Sequence, residues 1–276
     1  MNNEIIIAGI VTYNPSIERL KENISAVVNQ VSQLVIVDNG SKNIDDIEAC
    51  IKDIPTATII RHNKNLGIAT ALNTMFKFAS KRGNWVLTLD QDSVIYPNMI
   101  KTYRKYMNMK NVVSLTSQRD DRHYASLEKA NNEAHSVFGC ITSGNLVKIS
   151  AWDKVGGFND KLFIDMVDYE FCKKLKLANY KILCVNQPLM IHELGDSRTY
   201  PILGRRINVY NHSAFRKYYI FRNTIYMLRY YSSKGCSYSY TYLIKTFLKI
   251  IIIENNKYEK LKRSIQGIRD GFKMEF

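Results

Sequence analysis

"VLTLDQDS", residues 86–93, drives a largely apolar run straight into two carboxylates. Val86-Leu87-Thr88-Leu89 has the character of a strand buried on both faces. Aspartate is depleted in strands and is almost never fully buried without a partner. Residues two apart on an extended chain project to the same side, so Asp90 and Asp92 aim at one point and Gln91 faces away. Two carboxylates on one point repel unless a proton or a cation stands between them. The plainer alternative is a strand that ends in an acidic turn.

Three similar runs precede this one. Ile5–Val11, Leu34–Val37 and Ala57–Arg61 read as strands, and Trp85–Leu89 is the fourth. Between them lie stretches of helical spacing: 16–29 (Ile17, Leu20, Ile24, Val27, Val28), a short one ending near Cys50, and 67–82 (Ile68, Ala71, Leu72, Met75, Phe76, Ala79). Continuous apolar strands alternating with helices predict an α/β fold with a mostly parallel, doubly covered sheet. Ligands of such sheets bind beyond the carboxyl ends of the strands. Polar clusters fall at those ends: Thr12-Tyr13-Asn14-Pro15, Asp38-Asn39-Gly40-Ser41, Asn63-Lys64-Asn65-Leu66-Gly67 and Asp90-Gln91-Asp92-Ser93. "NG" at 39–40 alone is an ordinary turn dipeptide. Four clusters on one rim predict a site. Neither GxGxxG nor GxxxxGK[ST] occurs, which disfavours a Rossmann dinucleotide and a P-loop.

The second half is less regular. Residues 139–160 contain the small-residue stretch Thr142-Ser143-Gly144-Asn145 and a Gly156-Gly157 turn. A helix within 161–182 opens with Asp165, Asp168 and Glu170, more acids than complementing a helix dipole requires. A further strand leads to His192, which by itself reads more readily as structural than as a ligand. The five cysteines show no CxxC pair or zinc spacing, so free thiols in a reducing, cytoplasmic setting are expected. The amino terminus passes into a strand without a secretory signal. No uncharged apolar run reaches the roughly 18 residues of a membrane span.

The net charge of +14 is concentrated late in the chain. From residue 200 onward there are 15 Lys and Arg against 4 Asp and Glu, which suits an anionic partner. Residues 241–273 are amphipathic and basic, and fit either an anionic membrane surface or a packing or homodimer element. No nucleic-acid-binding motif accompanies the charge, so nucleic acid is not expected as a partner.

Taken in order, "VTYNP" (11–15), "VDNGS" (37–41), "NKNLGIATALN" (63–73), "LTLDQDS" (87–93), "TSGNLV" (142–147), "GGFNDKLFIDMVDYEFC" (156–172), "IHELGD" (191–196) and "YYIFRN" (218–223) resemble the family 2 glycosyltransferases, and within them a bacterial rhamnosyltransferase-like subgroup. The resemblance implies the GT-A fold, a Rossmann-like mostly parallel sheet flanked by helices. It places that domain at 1–223, with a nucleotide-binding half at 1–95 and an acceptor and catalytic half at 96–223. A basic helical extension follows at 224–276. It further implies a nucleotide-diphosphosugar donor (dTDP- or UDP-linked), a saccharide acceptor that can be lipid-linked, Mg²⁺ or Mn²⁺, and inversion at the anomeric carbon.

Residue roles follow the same resemblance. Asp90 lies near the ribose and Asp92 on the metal, with His192 a later metal or diphosphate contact. Asp38 meets the donor's base, and Thr12, Tyr13, Asn14, Asn65, Gly67 and Gln91 line the nucleotide pocket. Asp168 is the general base with Asp165 in reserve, because the family's Glu-Asp pair here reads Val167-Asp168. Arg222 approaches the diphosphate. Chemistry asks for the same groups, since the departing diphosphate needs a Lewis acid and inversion needs one base on the opposite face. Two rivals are a non-catalytic sugar-nucleotide-binding protein and a haloacid-dehalogenase-like phosphatase, whose DxDx[TV] motif "DQDSV" also satisfies. In that phosphatase class the motif ends the first strand.

Overall fold

A computed structural model describes residues 4–121, 133–192, 198–202, 205–231 and 240–275. The chain divides into two compact units, Met1–Lys161 with Val167–Glu193, and Leu162–Met166 with Leu194–Phe276.

The first unit is built on β1 (Ile6–Thr12), β2 (Gln33–Asp38), β3 (Ala57–Arg61) and β4 (Trp85–Asp90), parallel in the order β3-β2-β1-β4. All seven residues of β1 are buried, because helices cover the sheet. Helix α1 (Ile17–Val27) buries Leu20, Ile24 and Val27, α2 (Ile44–Ala49) buries Ile47, and α3 (Ile68–Ala79) buries Leu72, Met75 and Phe76 among its alanines. These elements fall where apolar spacing places them, within one to three residues at each end.

Antiparallel pairings enter in the second half of the unit. The elements are β5 (Val94–Ile95), α4 (Met99–Tyr103), β6 (Val112–Asp121), β7 (Ala134–Ser136), β8 (Asn145–Lys148), α5 (Ile149–Lys154), α6 (Val167–Leu177) and β9 (Lys181–His192). Strand β8 lies antiparallel between β4 and β6, and β9 runs parallel to β6 but antiparallel to β5 and β7. The β5–β9 register, Val94 opposite Ile191 and Ile95 opposite Met190, brings the residue after Ile191 level with the one before Val94. That register carries His192 to Ser93.

A buried asparagine fastens the loop after α5. Asn73 on α3 is 7 % exposed, and its Nδ2 donates to Phe158 O and Asp160 Oδ1, each at 2.8 Å. Its Oδ1 accepts Phe158 N at 2.8 Å and Trp152 Nε1 at 3.1 Å. Around it Phe76 stacks on Trp152, and Phe158 packs against the rings of Phe76 and Phe171. No apolar side chain could satisfy those groups.

The second unit holds the hairpin β10 (Arg198–Ile202) and β11 (Arg205–Val209), then α7 (Ala214–Tyr231), α8 (Tyr240–Ile252) and α9 (Lys257–Lys273). Helices α7 and α9 approach closely through small residues: a Cβ on Gly267 would stand 2.3 Å from Tyr218 O. Ile220, Phe221, Ile225, Leu228, Leu243 and Ile250 form the shared apolar core. Glu254 bridges Lys217 (2.5 Å) and Lys260 (3.0 Å), all three buried, and Lys260 also donates to Asn211. Burial lowers the Lys217 pKa and Glu254 opposes that shift.

The domain boundary expected at residue 223 falls inside α7, whose continuous packing on α9 keeps residues 214–223 with the C-terminal helices. The amphipathic 241–273 segment is two helices, separated where Asn256 takes a left-handed φ of 52°. Cys50, Cys140, Cys172 and Cys184 are free thiols, and Cys236 lies outside the described residues. Among the described residues no helix is long and apolar enough to cross a membrane.

Replacing Asn73 with leucine would strand the Phe158 N–H and C=O and the Trp152 N–H in the interior. Each such group costs about 1–3 kcal/mol, so Asn73→Leu should lose about 3 kcal/mol or more of stability. Urea denaturation measures it, and a loss below about 1 kcal/mol would contradict the anchoring role.

Candidate active site

The polar rim forms at the carboxyl ends of β1, β2 and β4. Thr12 and Asp38 are register partners across β1 and β2, both buried, and Thr12 Oγ1 donates to Asp38 Oδ1 at 3.0 Å. Asp38 Oδ2 accepts the backbone N–H of Gly40 (3.1 Å) and Ser41 (2.9 Å). The carboxylate thereby shapes the turn. Gly40 is required there, because φ is +85° and a Cβ would lie 2.6 Å from the Lys64 backbone. Asn14, at φ 46°, ties the same turn to β1 through Ser41 Oγ and Lys42 N.

Asn39, which the sequence presents as half of a turn dipeptide, proves to be a hub. It is 3 % exposed, donates from Nδ2 to Asn65 Oδ1 (2.9 Å), and accepts Leu66 N (3.0 Å) on Oδ1. His62 Nδ1 lies 3.1 Å from the same oxygen, and burial lowers the His62 pKa. Asn65 Oδ1 also accepts the N–H of Gly67, where α3 begins. Asn39, Asn65 and His62 thus hold the β3–α3 loop against the β2 turn.

The opening motif brings its carboxylates together by a different route from the extended chain its spacing predicts: β4 ends at Asp90, residues 91–92 turn, and Ser93 N–H donates to Asp90 O at 3.3 Å. One ligand atom each from Asp90, Asp92 and His192 can be chosen so that all three lie within 4.8 Å of one another. Ligands on one Mg²⁺ stand about 2.9 Å apart when adjacent and about 4.2 Å when opposite, so side-chain rotation has to draw the three together to close on an ion. Gln91 points elsewhere, its Oε1 accepting the Tyr13 N–H at 2.9 Å. Asn23 on α1 donates to Asp90 O at 2.7 Å and fixes the strand end from below.

A hydroxyl pair behind the carboxylates was not evident from sequence. Asp90 N–H donates to Ser143 Oγ (3.1 Å), Ser143 Oγ donates to Ser93 Oγ (2.7 Å), and Ser93 Oγ lies 3.0 Å from His192 Nδ1. For His192 Nε2 to face a cation, Nδ1 must carry the proton and donate it to Ser93. The two lone pairs of Ser93 Oγ accept both that N–H and the Ser143 hydroxyl. Two carboxylates and one imidazole, oriented from behind, fit a divalent cation.

The two candidate bases differ in surroundings. Asp168 lies in the first turn of α6 and is half-buried. Asp165 belongs to the second unit, where Arg216 grips both its oxygens (Nε at 3.1 and 3.2 Å, Nη2 at 3.0 Å). Burial raises the Asp165 pKa while Arg216 opposes the rise. Phe163, Asp165 and Met166 all take left-handed φ of 63–64°, rare for non-glycine residues. Asn223, fully buried, holds this turn by donating to Leu162 O, Ile164 O and Asp165 O at 2.7–2.9 Å. Arg222 joins it through Leu162 O (3.0 Å), with its guanidinium 4.6 Å over the Tyr219 ring. Of the "IHELGD" stretch, residues 193–196 lie outside the described residues.

The model of the family described as "Glycosyl transferase family 2" matches residues 8–161. The chain belongs to glycosyl transferase family 2. A dTDP-rhamnosyl transferase of Shigella flexneri is 32 % identical over 296 residues, covering 98 % of this chain and 96 % of that protein. An uncharacterized glycosyltransferase of Methanocaldococcus jannaschii is 21 % identical over 92 % of this chain and 94 % of its own length. Among solved structures, S. aureus TarS 1–349 in complex with UDP-GlcNAc aligns with a TM-score of 0.65 at 14 % identity, covering 98 % of this chain and 81 % of that one. GalNAc-T7 with UDP, GalNAc and Mn²⁺ aligns with a TM-score of 0.63 at 14 % identity, over 83 % and 48 % of the two chains. These likenesses establish the GT-A fold expected from sequence, and family membership makes the chain a glycosyltransferase. The phosphatase alternative falls with them, since "DQDSV" follows the fourth strand of the glycosyltransferase sheet.

Removing the hydroxyl behind His192 should loosen the cation. Losing a group that orients a metal ligand typically costs about 10- to 100-fold in affinity, and Ser93→Ala is expected to weaken Mn²⁺ binding by that factor. Electron paramagnetic resonance titration of free Mn²⁺, without substrate, reads it directly. Unchanged affinity would show that His192 owes its orientation to something else.

Proposed function

We propose that this glycosyltransferase transfers L-rhamnose from a thymidine-diphosphate donor to a saccharide acceptor during assembly of a bacterial surface polysaccharide. The observation that carries this reading is the 32 % identity, across 98 % of the chain, to a dTDP-rhamnosyl transferase. The acceptor is taken to be lipid-linked, which places the enzyme on the cytoplasmic face of a membrane.

The residues supply chemistry that suits such a transfer. Asp38 Oδ1 accepts one hydrogen bond from Thr12, which leaves a lone pair for the imide N–H of thymine or uracil. Asp92, Asp90 and His192 are the group to hold the cation. Bound there, it would neutralise the charge that grows on the departing diphosphate. The nitrogen ligand favours Mn²⁺ over Mg²⁺, which prefers oxygen. Tyr13 and Gln91, joined by a hydrogen bond, wall the nucleotide side together with Asn14, Asn65 and Gly67.

Transfer with inversion then needs one base for the acceptor hydroxyl. Asp168, in the first turn of α6, is taken as that base, and the Arg216 fork on both Asp165 oxygens engages the alternative carboxylate. Asp168 stands in the first turn of α6, where the helix dipole favours negative charge. Arg216 and Arg222 are given supporting roles at the 162–166 turn.

Two measurements test the reading. With a panel of nucleotide sugars, dTDP-L-rhamnose should be the preferred donor, and clear preference for a UDP-hexose would overturn the choice of sugar. General-base assistance is worth about 10²- to 10⁴-fold, so Asp168→Asn should lose that much in kcat while donor Kd stays within about twofold. Near-normal transfer by Asp168→Asn would remove it as the base.

A further inference from the structure

Helix α8 turns Leu243 and Ile250 inward and sets Phe247 edge-on against Phe221. Its other flank carries Tyr240, Ile244, Leu248, Ile251 and Ile252, which are 55, 59, 48, 43 and 64 % exposed. At 3.6 residues per turn these five side chains fall within one arc of about 120°. Scattered exposed apolar residues need no explanation, but a contiguous stripe marks an interaction surface. Lys245 and Lys249 border the stripe along one edge.

Helix α9 repeats the chemistry. Tyr258, Ile265 and Phe272 recur at seven-residue spacing, all three exposed. The exposed Lys262 and Arg269 stand between them on the same face. Neither helix is long and apolar enough to span a bilayer. Short amphipathic helices that carry aliphatic side chains on one face and cations beside them suit the boundary between headgroups and acyl chains.

Charge decides between a bilayer and a second copy of this chain. Self-association through the stripe would bring Lys245 and Lys249 of two copies to one interface, in a protein whose formal net charge is already +14. An anionic bilayer offers hydrocarbon to the stripe and negative headgroups to the lysines. We propose that α8 docks on an anionic lipid surface, its Tyr240–Ile252 flank set among the upper acyl chains and Lys245 and Lys249 on the headgroups. This rests on the membrane placement proposed above and names the element responsible for it.

Co-sedimentation of the full chain with vesicles tests the assignment, in parallel with transfer to a soluble acceptor fragment. Vesicles of phosphatidylcholine with about 30 % phosphatidylglycerol should bind the protein, less so as salt rises, and pure phosphatidylcholine should bind it weakly. The pair Ile244→Ser and Ile252→Ser should lower partitioning by about tenfold or more. Lys245→Gln should lower it about fivefold on anionic vesicles only, as one cation is worth about 1 kcal/mol there. Transfer to the soluble acceptor should be unchanged in both variants. Equal binding to neutral and anionic vesicles, or full binding by the double-serine variant, overturns the proposal. So does concentration-dependent dimerisation that this variant abolishes while vesicles bind nothing. Lipid binding absent with transfer intact removes only this assignment, whereas lipid binding intact with no transfer removes only the proposed function.

Discussion

The site depends on electrostatic repulsion between two carboxylates. Asp90 ends a buried strand and Asp92 lies in the turn that follows it, where neither can withdraw into the core. A cation relieves the repulsion, and the surrounding residues hold the arrangement open for one. Asn23 takes the Asp90 carbonyl, Ser143 takes its N–H, and Ser93 passes the same support to His192. The β5–β9 register completes the set by delivering a residue about a hundred positions later in the chain.

Buried amide side chains recur wherever a loop must keep one shape. Asn39 joins two loops on the polar rim, Asn73 fastens the segment at Phe158, and Asn223 holds three carbonyls of one turn in the second unit. An amide offers two donors and an acceptor in a fixed plane, so one side chain can satisfy several backbone groups that no strand or helix ladder reaches. The left-handed conformations at Phe163, Asp165 and Met166 cost about 1–3 kcal/mol each. Asn223 and the Arg216–Asp165 pair offset that cost, and the turn leads by direct chain connection into α6, where Asp168 stands.

The parallel half of the fold was legible because β1 to β4 are uninterrupted apolar runs, each ending abruptly in polar residues. Asp38, Asp90 and Asp92 were legible for the same reason. The second half was not, since β5 has two residues and β8 opens within a small polar stretch, too little for a periodic signal. His192 looked like any histidine after a strand until register set it beside Ser93. Asn39 was hidden inside a common turn dipeptide. Asn223 adjoins an arginine whose charge drew attention first, and its role depends on partners some sixty residues earlier. The break in the basic tail turns on a single left-handed residue, Asn256, within a continuous amphipathic pattern.

Donor binding tests the central claim most directly, because the carboxylate pair makes a nucleotide diphosphate and a cation mutually dependent. Isothermal titration of dTDP-L-rhamnose should give a well-defined Kd with Mn²⁺ present. Chelation by EDTA, or Asp92→Ala with Mn²⁺ retained, should weaken binding severely. Equal affinity in all three titrations would contradict the account, and the two aspartates would then have to be read as an acidic turn.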